Sequence, residues 1–442
     1  MQAEKLVLDD VIIKSPGYQV KEAILKILYN KDIKTISAKV ASQYLDIFAG
    51  DIGFHPDKVK PYLRDSSKSP IGTADFREKL VSKLEKGYDE IVLSEKKQIA
   101  KLVESVYNNC NSYDQQNDQK ILEKLKRLCE DFDLQVELAK VYRALSYNLY
   151  KSKKTILKSC EYLQLAVVIL NNHPAPETLI TCLSELGLYY IFDRKYDLAE
   201  EVLSRAASLI SEHNHGIPDE VKYFVTYRRG VLYSENNNFE PARRMFFNAL
   251  GLDIPDIEKA NLFMNIGVTF KRSKQFGEAL IYYEMALVHT KDVYMQGVIY
   301  NNIADLYRMI GKLDDAESYV IKAFDCLKEN NDLNKKLIYT LTLIEINYDK
   351  GNREQVLDLV NQVLFDDMEV HKKYILFAID VILKLAMDHD DGELLHLLEK
   401  AIVKNLKKFT KDTAYSDMLK QRFADVYLYF NYGGEFHEKA IT

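Results

Sequence analysis

Apolar residues recur along most of this chain with a helical period, and in its middle they do so twice in the same way. Residues 261–323 read NLFMNIGVTFKRSKQFGEALIYYEMALVHTKDVYMQGVIYNNIADLYRMIGKLDDAESYVIKA. Gly267, Phe270, Ala279, Tyr283 and Ala286 return 37 residues later as Ala304, Tyr307, Ala316, Val320 and Ala323. Residues three or four apart share one face of a helix, so each copy predicts two helices that meet along a small–aromatic seam. The polar stretches RSKQ and MIGKLD mark the turns between them. Small residues let two antiparallel helices approach, and the aromatic rings fill the space above them.

The same pattern extends in both directions. Tyr147, Tyr150, Ser159, Leu163 and Ala166 open the series; Gly187, Tyr190, Ala199, Leu203 and Ala206 follow, then Gly230, Tyr233, Ala242, Phe246 and Ala249. Two weaker copies lie over residues 344–363, with Gly351 at the turn, and 382–401, with Gly392. Successive copies are 40, 43, 37, 37, 40 and 38 residues apart. This resembles the tetratricopeptide (TPR) pattern of small–x–x–Tyr, then Ala, then Phe/Tyr, then Ala, with slightly lengthened repeats. Such hairpins stack into a right-handed superhelix whose inner surface is lined by the first helix of each pair.

The ends of the chain read differently. Ser15-Pro16-Gly17 predicts a turn, residues 20–29 a helix with Ile24, Ile27 and Leu28 inward, and Thr35-Ile36-Ser37 a cap. A second helix over 38–47 would bury Val40, Ala41, Tyr44 and Leu45, and AGDIGF is a turn. His55-Pro56-Asp57 opens a short third helix, KVKPYLRD, limited by Pro61. That order is the order of a helix-turn-helix unit, which would place Lys58 or Lys60 on phosphates, Arg64 near a base edge, and Lys39 on the same basic head. Residues 75–86 predict a bridging helix, and 96–107 with 118–132 an atypical opening pair. A last helix over 412–432 presents Met418, Phe423, Val426 and Phe430 on one face. The organisation expected is a head over 1–66, a linker and bridge over 67–94, peptide-binding repeats over 95–410, and a capping or dimerisation helix over 411–442. The fold class is all-α: a helix-turn-helix-like head followed by a TPR-like α-solenoid.

Composition sharpens this picture in four ways. At 442 residues the chain exceeds one ordinary core, which a stack of repeats does not need. The net charge of −6 is unevenly placed: residues 11–84 hold thirteen Lys/Arg against eight Asp/Glu, a basic head on an acidic body. Five scattered cysteines, Cys110, Cys129, Cys160, Cys182 and Cys326, form no C-x-x-C pair, so free thiols in a reducing compartment are expected. No apolar run approaches the roughly 18 residues of a membrane span. The expectation is a cytoplasmic protein with no membrane partner.

Enzyme signatures are missing. The chain has no G-x-x-x-x-G-K-[ST], G-x-G-x-x-G, H-E-x-x-H or G-x-S-x-G motif, and His213-x-His215 sits in a polar loop without metal-spaced partners. No catalytic residue, metal ligand or cofactor is expected. The informative polar residues lie in first helices. Asn265 precedes Ile266-Gly267, and Asn302 precedes Ile303-Ala304 at the same repeat position, with Asn301 beside it. Asparagine is a mediocre helix former, so its recurrence on an inner face asks for a reason. Its amide both donates and accepts, and can pair with the backbone of an extended peptide of any sequence. Arg228 holds the equivalent place one repeat earlier. With Lys271 and Arg308 it is a candidate for a peptide's carboxylates, and Asn261 joins the same face.

A basic helical head, a linker, and TPR-like hairpins with Asn before the small residue ("MNIG", "YNNIA") resemble the RRNPP group of peptide-pheromone receptors, which includes quorum-sensing regulators and arbitrium receptors. The resemblance implies a cytosolic homodimer that binds a short signalling oligopeptide and thereby changes its binding to double-stranded DNA. By position, Asn265 and Asn302 would be the clamps on the peptide backbone. A peptide bridging several first helices would bias the pitch of the stack and the separation of two heads. Members without a DNA-binding head act on protein partners instead, which makes a TPR adaptor or a Rap-like response-regulator modulator the alternative.

Overall fold

The computed structural model describes residues 14–432 apart from 15, 33, 36, 53, 64–72, 87–92, 109–114, 152–155, 174, 214–215, 329–331, 366–371 and 409–412. Every regular element among them is helical. The chain forms two compact units, Met1–Val221 and Lys222–Thr442, both containing TPR-like hairpins. No helix among the described residues is long and apolar enough to cross a membrane.

The first unit opens on a head of four helices, α1 (Pro16–Tyr29), α2 (Ala38–Asp51), α3 (Pro56–Val59) and α4 (Ala74–Leu84). Val20, Ile24, Phe48, Ala49, Val59, Leu63, Phe76 and Leu80 build their shared core. Pro16 and Gly17, expected in a turn, begin α1 instead, where a proline's fixed φ and missing N–H are harmless. Leu25 faces inward, not Ile27, which is 41% exposed. Ser37 caps α2 as expected, its Oγ accepting the Val40 N–H at 3.3 Å. α2 then runs through Asp51, so the first half of AGDIGF is helix. The third helix keeps α geometry for four residues only, and Lys60–Leu63 tightens into a 3-10 turn. Pro61 has no N–H to continue the α pattern. The helix expected as a bridge, α4, packs Phe76, Leu80 and Leu84 into the head's own core.

Two buried glutamines fasten this head to the next stretch of chain. Gln19 in α1 accepts the Leu93 N–H at 2.8 Å and donates to the Leu93 carbonyl at 3.0 Å. Gln98, in α5 (Glu95–Asn108), accepts the Lys14 N–H at 2.7 Å and donates to its carbonyl at 2.9 Å. Each primary amide thus reads both polar groups of one extended residue.

The unit continues with α6 (Gln115–Asp131), α7 (Gln135–Lys151), α8 (Ile156–Leu170), α9 (Pro176–Phe192) and α10 (Tyr196–Glu212). In the α7/α8 hairpin the small seam position is Ser146 rather than Tyr147. The Ser146 hydroxyl donates to the Ser159 carbonyl at 2.8 Å, and both serines are fully buried. The connection over 152–155 is one residue longer than that over 193–195, which shifts the register by one. Cys129, Cys160 and Cys182 are buried free thiols and Cys326 is half-buried; Cys110 lies outside the described residues. Burial pushes the Cys129 and Cys182 thiols up to about 12 and Cys160 up to about 11, which keeps them protonated and unreactive.

The second unit holds α11 (Asp219–Glu235), whose first turn spans the division, then α12 (Phe239–Leu250), α13 (Asp256–Arg272), α14 (Phe276–His289), α15 (Val293–Met309) and α16 (Leu313–Asp325). It ends with α17 (Leu333–Asp349), α18 (Arg353–Phe365), α19 (Lys372–Asp388), α20 (Gly392–Lys408) and α21 (Thr413–Tyr432). The seam residues are there for space. A Cβ on Gly267 would lie 2.7 Å from two ring atoms of Tyr283, and one on Gly230 would lie 2.5 Å from the Phe246 ring. Where the facing residue shrinks to Val320, the small residue grows to Ala304, and both are fully buried. Each intra-hairpin turn carries one left-handed residue, Asn237, Lys274, Gly311, Gly351 and Asp390 in order. The following N–H reaches back to the helix, as from Gln275 to the Phe270 carbonyl at 2.9 Å, which closes a Schellman motif. From α13 onward each first helix packs on the next, down to α21. There Tyr415, Leu419 and Val426 are buried and Met418 is 53% exposed. Arg422 Nε meets Asp380 of α19 at 2.7 Å.

Candidate functional site

The first helices α11, α13, α15 and α17 carry, within the second unit, a polar layer running across the hairpins. It begins between α11 and α13. Tyr223 donates its hydroxyl to Glu258, and Asn261 Nδ2 donates to the same carboxylate at 3.2 Å. One turn on, Asn265 Nδ2 donates to the Asn261 carbonyl at 2.8 Å and to the Tyr227 hydroxyl at 3.4 Å. Burial pushes the Tyr223 and Tyr227 hydroxyls above their ordinary range, so both stay protonated. Arg228, at the same repeat position as Asn265, lies over the Phe224 ring, 5.0 Å from its centre.

The equivalent position on α15 is occupied differently. Asn302 is half-buried, and its side chain has no hydrogen-bond partner among the described residues. Neighbouring Asn301 is 9% exposed and sits in the packing, where its Oδ1 also has no partner.

Beyond Asn302 the layer becomes ionic. Lys271 Nζ meets Asp305 Oδ2 at 2.6 Å, and Arg308 Nη2 meets Asp305 Oδ1 at 3.1 Å. The same guanidinium reaches Glu345 at 3.2 Å and Asp349 at 3.2 Å. Three carboxylates therefore share two cations across α13, α15 and α17. Burial acts to raise the Asp305 pKa, but Lys271 and Arg308 outweigh it and hold the carboxyl below its ordinary range. At Glu345 the balance reverses. Burial first, helped by Asp305 and Asp349 against the pull of Arg308, lifts that carboxyl to about 7. Lys271 and Arg308, expected on a ligand's carboxylate, are thus engaged by the protein's own acids.

On the head, Lys39 and Lys58 are exposed. The side chain of Lys60 and all of Arg64 lie outside the described residues. The layout brings Asn261, Asn265 and Lys271 together on α13 and Asn302 and Arg308 together on α15.

No family model matches the chain, and no curated protein matches it in sequence. Solved structures do share its fold. The apo form of RapI is 13% identical over 75% of this chain and 98% of its own, with a TM-score of 0.50. The apo form of the quorum sensor NprR from B. thuringiensis is 13% identical over 76% of this chain and all of its own, with a TM-score of 0.47. A Rap protein complexed with competence and sporulation factor is 12% identical over 75% of this chain and 98% of its own, at 0.45. At such identities the likeness speaks to the fold alone: an all-α, TPR-like solenoid.

Tyr223, Tyr227, Glu258, Asp305, Glu345 and Asp349 were not singled out by the sequence pattern. Their signal was present but spread out. Lys271 and Asp305 are 34 residues apart and Arg308 and Glu345 are 37 apart, each three short of the local repeat spacing, so opposite charges nearly one repeat apart mark first-helix ion pairs.

Proposed function

We propose that this chain is a peptide-responsive regulator of the RRNPP kind, which binds a short oligopeptide on the first-helix face of its second unit. One observation carries the reading. Asn302 is a half-buried amide without a partner among the described residues, in register with Asn265 and on the helix that carries Asp305 and Arg308. An unpaired amide there is free to take the N–H and C=O of an extended backbone. Asn265 would contribute its remaining carbonyl oxygen, Asn261 the neighbouring contact, and Arg228 the next repeat's. Lys271 and Arg308 would then order the face rather than contact the ligand.

The test is selection of a random hexapeptide library on the full chain. Enrichment of a defined sequence supports the reading, and a pool indistinguishable from the input defeats it.

For the output, the first reading is double-stranded DNA contacted by the head through Lys39, Lys58, Lys60 and Arg64, from a homodimer in the cytoplasm. A specific observation favours a second reading, a protein partner for the head: α3 is one α-helical turn followed by a 3-10 turn, short for a recognition helix in a major groove. Binding of genomic fragments at two salt concentrations separates them. Salt-sensitive affinity that Lys39→Glu and Lys58→Glu abolish supports DNA, and no affinity in either salt supports the protein partner.

A further inference from the structure

A second site lies in the first unit, independent of the peptide face. The N-terminus of α9 opens into a pocket of about 580 Å³ whose walls are the start of α7 and the loop that follows α10. Ala175 offers no side-chain cap and Pro176 at the first helical position has no N–H. The seventeen-residue helix thus points its dipole and its free Glu177 and Thr178 N–H groups at the pocket. A helix end alone would mean little. The side chain of Thr178 adds an independent feature: it lines the pocket, the residue is only 7% exposed, and its hydroxyl has no hydrogen-bond partner among the described residues. That hydroxyl is therefore available to a ligand in the pocket. Lys140 of α7 lines the opposite wall, its ammonium 2.7 Å from Glu104 and with donors to spare.

We propose that this pocket binds the carboxylate of a small molecule or a peptide terminus. The carboxylate would lie at the α9 N-terminus, taking the Thr178 hydroxyl and Lys140 Nζ. Anion binding at a helix N-terminus is a general property of the uncapped N–H groups and the dipole. Glu177 and Glu212 also line the pocket, which disfavours a dianion such as phosphate more strongly than a single negative charge. Ile217, 5% exposed, lines the apolar side and reports on occupancy.

The experiment is methyl NMR of the full chain labelled at Ile and Thr, titrated with N-acetylglycine and, separately, with N-acetylglycinamide and inorganic phosphate. The expected result is a saturable shift of the Ile217 and Thr178 methyls with N-acetylglycine only. Affinity should fall about tenfold in Lys140→Met and in Thr178→Val, read at Ile217, since each removes one hydrogen bond to a charged group. Unchanged methyl spectra elsewhere establish that both variants fold. Equal shifts with the amide, stronger shifts with phosphate, no shift at all, or either variant titrating like the parent would overturn the proposal.

Discussion

Two adjacent hairpins of the second unit, α13/α14 and α15/α16, occupy equivalent places and solve the same problems with different residues. Gly267 faces Tyr283 in one, and Ala304 faces Val320 in the other. Lys274 takes the left-handed turn position in one at φ 60°, and Gly311 in the other at φ 78°. Packing is thus met by compensating volumes, and either hairpin closes. The polar face shows no such compensation. Asn265 is tied to Asn261 and Tyr227, while Asn302 is left without a partner among the described residues. Lys271 meets one carboxylate, while Arg308 meets three. The seam is under the constraint of folding, and the face beside it is free to vary.

The largest effect should come from breaking the seam. Tyr283→Ala is expected to destabilise the second unit by about 3–5 kcal/mol, and Val320→Ala, which removes fewer atoms, by clearly less. Denaturant unfolding of both variants checks this, and equal losses would mean that the two hairpins do not share the packing described.

The charge clusters differ in their response to pH. The Glu345 carboxyl, lifted by burial to about 7, holds its proton more tightly in the folded state than in the unfolded chain. Its contribution to stability is full below the unfolded pKa of about 4.3 and is lost as pH rises through 7. Relative to Glu345→Gln, the parent protein should therefore lose roughly 1–3 kcal/mol between pH 5 and pH 8. Parallel pH profiles for the two proteins would remove burial as the cause. No such loss is expected from the Lys271–Asp305 pair, whose acid is shifted the other way.

The seam glycine sharpens the comparison further. Gly267→Ala puts a methyl 2.7 Å from the Tyr283 ring and 3.2 Å from the Ala279 carbonyl oxygen. It should cost about 1–3 kcal/mol through overpacking. Adding Tyr283→Val, which copies the neighbouring hairpin, should recover part of that loss in the same unfolding assay. The smallest effect is at the turn. Lys274→Gly should stabilise by up to about 1 kcal/mol by removing a side chain from a left-handed backbone, and a lower melting temperature would contradict this.

The hairpins were legible in the sequence because each seam residue repeats near a fixed interval, as Ala279, Ala316 and their kin do. The pattern misleads where local length changes: one extra residue before α8 moves the seam from Tyr147 to Ser146. It misleads again in the head, where no repeat pins the register and Ile27 and Leu25 exchange sides. Asn265 and Asn302 were visible as a recurrence. The ionic cluster was not, because whether Lys271 and Arg308 face a ligand or an acid one repeat away depends on rotamers and on the spacing of first helices, which no local pattern states.

In the proposed mode of binding, the first-helix amides hold a peptide backbone. The deciding measurement is the affinity of a library-selected peptide for the parent chain, Asn302→Ala and Asn265→Ala/Asn302→Ala. Affinity should fall about tenfold in the single variant and further in the double, as for one or two lost hydrogen bonds, with melting temperatures unchanged. Parental affinity in the double variant would contradict it.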